Sequence, residues 1–274
     1  MAHFRTSHTW RRGVVALFAA YTLLNTYFVL TPLLGAAPSW AYLLVPLLLG
    51  GFSLGHAIYL LGFRHALLFL GISSLVSLGF EGVGVATGAI YGPYHYTTHL
   101  GPRLWGVPLV VPISWFMVIY PAYILTNYLA DGVVIARAGG GNLGRRMGLS
   151  ALSATLMTAW DVPMDPQMVM YGHWVWHVKG DFFGIPVQNY IGWLVTTGVI
   201  YIIYRQIESR WSPRPLGDVP TGFARMPIYL YTLLAGGYVL GYVLLHQPAL
   251  ALTAFFAMGT PCLIAWLRAE SPQA

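Results

Sequence analysis

Long apolar runs, separated by short polar stretches or stretches rich in Pro and Gly, are the main feature of the sequence. A helix needs about 20 mostly apolar residues to cross the core of a bilayer. The runs therefore predict eight membrane-spanning helices, of which the fifth is short and ends in acidic residues. They lie at about 13–34, 41–61, 66–90, 107–129, 147–162, 185–204, 227–245 and 249–267. The predicted fold is an all-α polytopic membrane helix bundle, with one transmembrane domain over residues 1–274.

Composition agrees with this pattern. Hydrophobic residues make up 57% of the 274 positions, charged residues only 8%, and the mean hydropathy is +0.64. A soluble domain carries about 25% charged residues, so this chain lacks the charge to cover a surface that faces water. The first run follows Arg11 and Arg12 and is longer than the apolar region of about 7–15 residues in a signal peptide. We therefore expect an uncleaved membrane anchor.

The basic residues predict the orientation of the helices. With a cytoplasmic N-terminus and eight spans, twelve of the fourteen basic residues fall in cytoplasmic segments, and only Arg103 and Lys179 fall on the other side. This asymmetry follows the positive-inside rule, so we expect both termini to lie in the cytoplasm. The expected location is the cell (inner) membrane of a bacterium or archaeon. The twelve are Arg5, Arg11, Arg12, Arg64, Arg137, Arg145, Arg146, Arg205, Arg210, Arg214, Arg225 and Arg268.

The sequence excludes a nucleic-acid-binding face and any site that needs two or more cysteines. The basic side chains occur singly or in pairs between apolar runs, so no basic face with interleaved aromatics exists for nucleic acid to follow. The single cysteine, Cys262, permits neither an intrachain disulfide nor a thiolate metal site.

Half of the acidic residues fall in segments predicted to be cytoplasmic. We expect these four to be solvated charges: Asp131, Glu208, Asp218 and Glu270. The loop over 205–225 is expected to be a Pro/Gly linker whose arginines extend toward the membrane surface.

The other four acidic residues, Glu81, Asp161, Asp165 and Asp181, lie within or beside the two non-cytoplasmic segments near 91–106 and 163–184. Glu81 falls inside the third span, where an ionisable group costs several kcal/mol unless it is paired or neutral, so it is a functional candidate. A protonated Glu bonded to a neighbouring helix is the structural alternative.

Histidines in the same two segments raise the question of a metal site. His95 and His99 are four residues apart, as are His173 and His177, a spacing that suits two ligands on a helix. Gly and Pro residues around the first pair argue against a regular helix there, and no histidine array of the membrane di-iron type is present. We therefore predict no metal and no other cofactor. The sequence also lacks a serine-hydrolase elbow and a glycine-rich phosphate loop.

Acids and aromatics at membrane depth suggest one kind of chemistry. A carboxylic acid kept neutral by apolar surroundings can donate a proton, and aromatic faces can stabilise a developing cation where water is excluded. Such a site suits protonation of an alkene in a lipophilic substrate, followed by capture of the tertiary carbocation by water or by a second double bond. An Asp or His near the aqueous mouth could orient the water.

At these residues the sequence resembles the CruF-type carotenoid biosynthesis family of integral membrane carotenoid 1,2-hydratases. The similarity covers roughly residues 80–195, the segment that carries the predicted site. Four blocks carry it: EGVGVATGAIYGPYHYT (81–97), LGPRLWGVPLVVPISWFMVIYP (100–121), AWDVPMDPQMV (159–169) and GHWVWHVKGDFFGIPVQNYIGWL (172–194). The resemblance implies addition of water across the terminal 1,2 double bond of an acyclic (ψ) carotenoid end group, without a redox cofactor.

The resemblance assigns no individual roles, so these are our hypotheses. Glu81 or Asp161 is the expected proton donor, and Asp165 is expected to help place the water. Asn189 could hold the water or the new hydroxyl group. The residues expected to bind the substrate are Tyr94, His95, Tyr96, Trp115, Trp174, Trp176, Asn189 and Trp193.

Three other functions remain open at this point. A membrane cyclase acting on a prenyl or carotenoid end would use the same cation chemistry but exclude water. A proton-coupled transporter of a lipophile could use Glu81, although we find no internal repeat of the kind common in transporters. A purely structural role would leave the clustered acids unexplained. The expected partners are a carotenoid, water, membrane lipid and other membrane enzymes of carotenoid synthesis, but no nucleic acid.

Overall fold

A computed structural model describes residues 8–35, 37–135, 141–211 and 219–270. Arg5, Arg137, Arg214 and Asp218, which enter the charge predictions, lie outside the described residues. The helices are α1 (His8–Leu34), α2 (Ser39–Leu61), α3 (Phe63–Thr87), α4 (Val110–Asp131), α5 (Leu143–Met170), α6 (Val187–Glu208), α7 (Thr221–Ala224), α8 (Met226–Leu244), α9 (Pro248–Ala254) and α10 (Thr260–Glu270). Short strands are β1 (Tyr94–Tyr96), β2 (Arg103–Leu104), β3 (Val107–Pro108) and β4 (Trp174–Trp176).

The predicted all-α membrane architecture is confirmed in its main lines. Each predicted span coincides with a long helical segment, the last one being α9 and α10 joined by a π-helical turn at Phe255–Gly259. Among the described residues, six segments are long and apolar enough to cross a membrane: α1 to α4, α8 and Pro248–Ala269. The protein is therefore a mainly helical membrane protein.

The fifth predicted span differs most from the structure. It was expected to end at residue 162, but α5 continues to Met170 with Pro163 and Pro166 inside it. Proline usually ends a helix because it lacks an N–H donor. Here the inner side of this stretch is buried against other helices, from Pro163 to Pro166, and the Tyr242 hydroxyl donates to the Pro163 carbonyl oxygen. The extension places Asp165 on the helix instead of in a loop.

The centre of the bundle is α4, which is buried almost continuously from Trp115 to Tyr128. The neighbouring helices α5 and α6 pack extensively against each other. One consequence is that polar side chains of α5, which lower its hydropathy, face protein instead of lipid.

Two predictions for the segment after the sixth span are wrong. Arg205 is not a loop residue at the membrane surface, because α6 extends through it and its side chain is only 2% exposed. Its guanidinium donates to Asn127 on α4 at 3.0 Å and to Ser153 on α5 at 3.1 Å. Glu208 is not a solvated charge either, since it accepts a hydrogen bond from the Tyr123 hydroxyl. These contacts join α4, α5 and α6 away from the predicted site.

A small pair of antiparallel strands, distant in sequence, covers one end of the bundle. Strand β1, which follows α3, pairs with β4, which follows α5, with Tyr94 opposite Trp176 and Tyr96 opposite Trp174. Side chains alternate along a strand, so Tyr94 and Tyr96 are buried while His95 between them is exposed. We call this pair of strands the β1–β4 cover.

Tyr91 is held between two glycines that let α3 and α6 approach it. A Cβ atom at Gly84 would lie 2.7 Å from the Tyr91 ring, and one at Gly192 would lie 2.6 Å from both that ring and the Ile90 carbonyl oxygen. The Tyr91 hydroxyl lies 2.9 Å from Oγ1 of Thr196 on α6. Tyr91 therefore fixes the start of the β1–β4 cover against α6.

Gly192→Ala is expected to lower the melting temperature of the protein in detergent. The added methyl group meets a backbone oxygen, which cannot rotate away, and overpacking of this kind costs about 1–3 kcal/mol. Gly198→Ala is the matched control on the same helix, because a Cβ there meets nothing within 4 Å. The control should be neutral or stabilising by up to about 1 kcal/mol. Equal melting temperatures for the two variants would contradict this packing.

Candidate active site

Glu81 projects from the buried face of α3. That face comprises residues spaced three or four apart: Ala66, Phe69, Ser73, Ser77, Glu81 and Gly84. The Glu81 side chain is 4% exposed. This spacing is that of one helix face, so the carboxyl group points into the bundle.

Two tyrosines of the β1–β4 cover hold this carboxyl group. The hydroxyls of Tyr94 and Tyr96 both donate to Oε2 of Glu81, that of Tyr96 at 2.9 Å. Burial, and after it the Glu81 charge, raises the pKa of both tyrosine hydroxyls well above the ordinary value. Both hydroxyls therefore stay protonated and act as donors, an arrangement that favours a carboxylate at Glu81.

A second acidic group is formed by Asp161 and Asp165, which lie one turn apart on α5. Nδ2 of Asn189, near the start of α6, lies 2.8 Å from an oxygen of each carboxyl group. The other oxygen of Asp165 accepts a hydrogen bond at 2.7 Å from the indole N–H of Trp174 on the β1–β4 cover. The other oxygen of Asp161 is buried and has no hydrogen-bond partner among the described residues.

Glu81 and the Asp161–Asp165 pair line one cavity of about 520 Å³. This volume is within the range of about 300–1,000 Å³ that is usual for small-molecule sites. The structure thus brings together residues from α3, α4, α5, α6 and the β1–β4 cover. The predicted site residues that line the cavity are Glu81, Tyr94, Tyr96, Trp115, Asp161, Asp165, Trp174, Trp176, Asn189 and Trp193.

His95 is the predicted site residue that does not reach the cavity. It lies on the exposed side of β1, and its Nδ1 is 2.7 Å from Nε2 of His177. Strand alternation explains this, because inward-facing Tyr94 and Tyr96 require His95 to face outward.

Aromatic rings form much of the wall around the acids. The indoles of Trp115 and Trp193 are stacked, with ring centroids 4.1 Å apart and an interplanar angle of 6°. The ring centroids of Trp160 and Trp193 are 6.0 Å apart, and those of Trp176 and Tyr94 are 5.0 Å apart. The cavity therefore offers aromatic faces and carboxyl groups to the same volume, the combination that stabilises a cation in an apolar site.

The histidines pair across the β1–β4 cover instead of along the chain. His95 contacts His177, and the rings of His99 and His173 are 6.0 Å apart. Within the described parts of the chain, no three His, Cys, Asp or Glu side chains gather as metal ligands would. Burial, and then the neighbouring His99, lowers the pKa of His173, which lines the cavity beside its exposed margin at His99.

Some of the lining came from helices that the sequence hypotheses left out. Side chains of α1, α2 and α8 also line the cavity, among them Asn25, Tyr42 and Tyr238. A usable signal was present for Asn25, because an amide in the middle of an apolar span is uncommon. No sequence signal distinguished the two tyrosines from ordinary interface aromatics.

Comparisons with known proteins bear on this site. A family model described as carotenoid biosynthesis protein matches residues 42–261. The chain is 34% identical over 181 residues to a bisanhydrobacterioruberin hydratase of Haloarcula japonica, an alignment that covers 65% of this chain and 58% of the relative. The chain thus spans little more than half the length of that curated relative. No solved structure matches the chain. Because the family model covers most of the sequence, including every residue of both acidic groups, this chain belongs to the carotenoid biosynthesis protein family.

Proposed function

We propose that the protein is a carotenoid 1,2-hydratase that adds water to the terminal double bond of an acyclic end group. The observation that carries this proposal is the cavity that is lined by three buried carboxyl groups and by a pair of stacked indoles. Membership of the family and the hydratase name of the Haloarcula relative support a carotenoid substrate and a hydration reaction.

Asp161 is the proposed proton donor. Asp165 accepts from both Trp174 and Asn189, so it is the better stabilised anion of the pair. Two adjacent carboxylates in an apolar site repel each other, and such a pair tends to keep one proton. That proton is assigned to Asp161, whose second oxygen has no hydrogen-bond partner among the described residues and whose side chain lines the cavity.

The proposed reaction has two steps. Asp161 transfers its proton to C2 of the end group, and the π electrons of the double bond form the new C–H bond, leaving a tertiary cation at C1. Water placed by Asp165 and Asn189 then forms the C1–O bond and returns one proton to the aspartate pair. The site regains its starting state, and no redox cofactor is needed.

Glu81 is proposed to stabilise the cation electrostatically. Its carboxylate, fixed by Tyr94 and Tyr96, supplies a negative charge that is already in place when positive charge develops at C1. Fixed charges of this kind lower a barrier because they need no reorganisation during the reaction.

Trp193→Leu is expected to lower kcat because it removes an indole face from the cation. Cation–π contacts contribute about 0.5–2 kcal/mol, which corresponds to roughly 2- to 30-fold in rate. Trp193→Phe should lose less, since it keeps an aromatic face. Trp105→Leu is the control, because Trp105 is 70% exposed and does not line the cavity. A Leu variant as active as the wild type would remove Trp193 from the mechanism.

Expression in a lycopene-producing bacterial host, followed by mass spectrometry of the pigments, tests the proposed function. A pigment heavier than lycopene by one or two waters is expected. A cyclase would give a product of unchanged mass, and a transporter would leave the pigment chemically unaltered. If lycopene is unchanged, the same test is made with γ-carotene and with longer acyclic carotenoids, and failure with all three would overturn the proposal.

We also infer that eight helical segments cross the membrane, with both termini in the cytoplasm and the site toward the opposite side. The support is the distribution of basic residues in the sequence together with the length of α5 and α6, at 28 and 22 residues. A fluorescent reporter that matures only in the cytoplasm should be bright when fused to the C-terminus, and a dark fusion would contradict this orientation.

A further inference from the structure

The cavity is also lined by α1, α2 and α8, and we call this part of it the arm. Its lining residues extend along α8 from Leu234 to Leu245, the residue after the helix, and on α1 they recur on one helix face at Tyr21, Asn25, Phe28 and Pro32. The eleven residue steps from Leu234 to Leu245 correspond to about 16 Å. The arm is therefore an elongated space, much longer than the end group of a carotenoid requires.

This arm reaches the surface of the bundle at the gap between α1 and α2. Pro32, near the end of α1, and Leu43, near the start of α2, both line the cavity and are exposed, Leu43 at 51%. Phe28 on α1 and Tyr42 on α2 also line the cavity, and their rings contact each other with centroids 4.8 Å apart, so this aromatic pair bounds the opening at Pro32 and Leu43. In a membrane protein, exposed apolar side chains on long helices face lipid, so this gap opens toward the hydrocarbon.

We propose that the gap between α1 and α2 is the entrance through which the carotenoid passes from the bilayer to the acids. This inference rests on the proposed function for the identity of the substrate. The stiff polyene remains in the arm while its end group lies between Glu81 and Asp161. We call the gap, defined by Phe28, Pro32, Tyr42 and Leu43, the lateral entrance.

The chemistry of the two reactants supports separate routes. A carotenoid is dissolved in the bilayer and loses the apolar environment if it must pass through water, so its entrance must be apolar and open to lipid. The exposed polar margin of the same cavity lies at His99, beside His173. Water can enter at that margin without displacing the polyene.

Nitroxide labels at two positions of α2 test the lateral entrance independently of catalysis. Leu43→Cys and Leu47→Cys are labelled in detergent and reconstituted into phosphatidylcholine vesicles. Leu47 is the matched control because it lies one turn away, is 66% exposed and does not line the cavity. The wild type, whose single cysteine is the buried Cys262, measures background labelling. Addition of lycopene should broaden the electron paramagnetic resonance spectrum at position 43 and leave that at position 47 unchanged.

A pair of blocking variants gives the second readout. Leu43→Trp narrows the lateral entrance and is expected to lower kcat/KM for the carotenoid by about tenfold or more because substrate capture is impaired. Leu47→Trp adds the same side chain toward lipid and should stay within about twofold of the wild type.

The outcomes separate the entrance from the reaction. Broadening at position 43, with no hydrated pigment formed from lycopene, γ-carotene or longer acyclic carotenoids, supports the entrance and overturns the hydratase. Hydration by the wild type with equal spectra at both positions, or equal activity of both tryptophan variants, overturns the entrance and leaves the hydratase in place. Absence of both effects overturns both.

Discussion

Asp161→Asn is expected to lower the rate of carotenoid hydration by about a hundredfold to ten-thousandfold, the contribution usual for a general acid. The amide has nearly the same shape as the carboxylic acid but cannot transfer a proton to carbon and then recover it. Asn189 still has Asp165 as a partner in the variant, so the fold around the site should survive. The rate is measured as hydrated pigment formed per mole of purified protein in vesicles.

Asp131→Asn is the control for this change. Asp131 ends α4 at the surface and pairs there with Arg145. Exposed pairs contribute little to stability, so activity should remain within about twofold of the wild type. If Asp161→Asn also retained full activity, the proton would have to come from another group, and the mechanism proposed here would be wrong.

Glu81→Gln is expected to reduce kcat by about a hundredfold to a thousandfold, as does the loss of one fixed electrostatic contact at other active sites. Glutamine can still accept from Tyr94 and Tyr96 through its amide oxygen, so the β1–β4 cover keeps its position while the negative charge facing the cation is lost. The effect should appear in kcat more than in KM, because the charge acts on the transition state.

The pH dependence separates the roles of the two acids. Activity of the wild type should fall at low pH, where Glu81 gains a proton, and at high pH, where the aspartate pair loses its proton. Glu81→Gln should lose the fall at low pH and keep the fall at high pH. Loss of the high-pH fall instead would identify Glu81 as the proton donor, the other role that the sequence allowed.

Glu208→Gln is the matched control for Glu81→Gln. Glu208 also accepts a tyrosine hydroxyl, that of Tyr123, but it lies on α6 outside the cavity. At equal amounts of folded protein, its variant should hydrate carotenoid at the rate of the wild type. An equal loss in both glutamine variants would mean that the effect comes from the fold and not from the site.

Much of the helical architecture could be predicted from sequence because apolar runs of sufficient length have few alternatives in a membrane. The end of α5 could not. Pro163 and Pro166 predict a helix end from local rules, whereas burial of this stretch keeps the helix intact through Asp165. Arg205 was misplaced for a related reason, since its partners Asn127 and Ser153 come from other helices and leave no local signal.

Part of the candidate site could be predicted from the sequence because acidic residues are rare in this chain and those within apolar runs are conspicuous. Glu81, Asp161 and Asp165 were identified in this way, and the structure places all three at one cavity. Their hydrogen-bond partners were not predictable, because the pairing of β1 with β4 joins residues about 80 positions apart. Strand alternation, which removes His95 from the cavity, becomes visible only once that pairing is known.

Incorporation of heavy oxygen from water distinguishes hydration by this site from every other reaction of the carotenoid. Purified wild-type protein in vesicles containing lycopene, or whichever acyclic carotenoid it modifies in cells, is incubated in water labelled with heavy oxygen, beside the Asp161→Asn variant. We expect a hydroxylated carotenoid that carries one labelled oxygen per hydrated end group, formed without added cofactor and absent with the variant. A modified carotenoid without labelled oxygen, or the same labelled product from both proteins, would contradict the proposed mechanism.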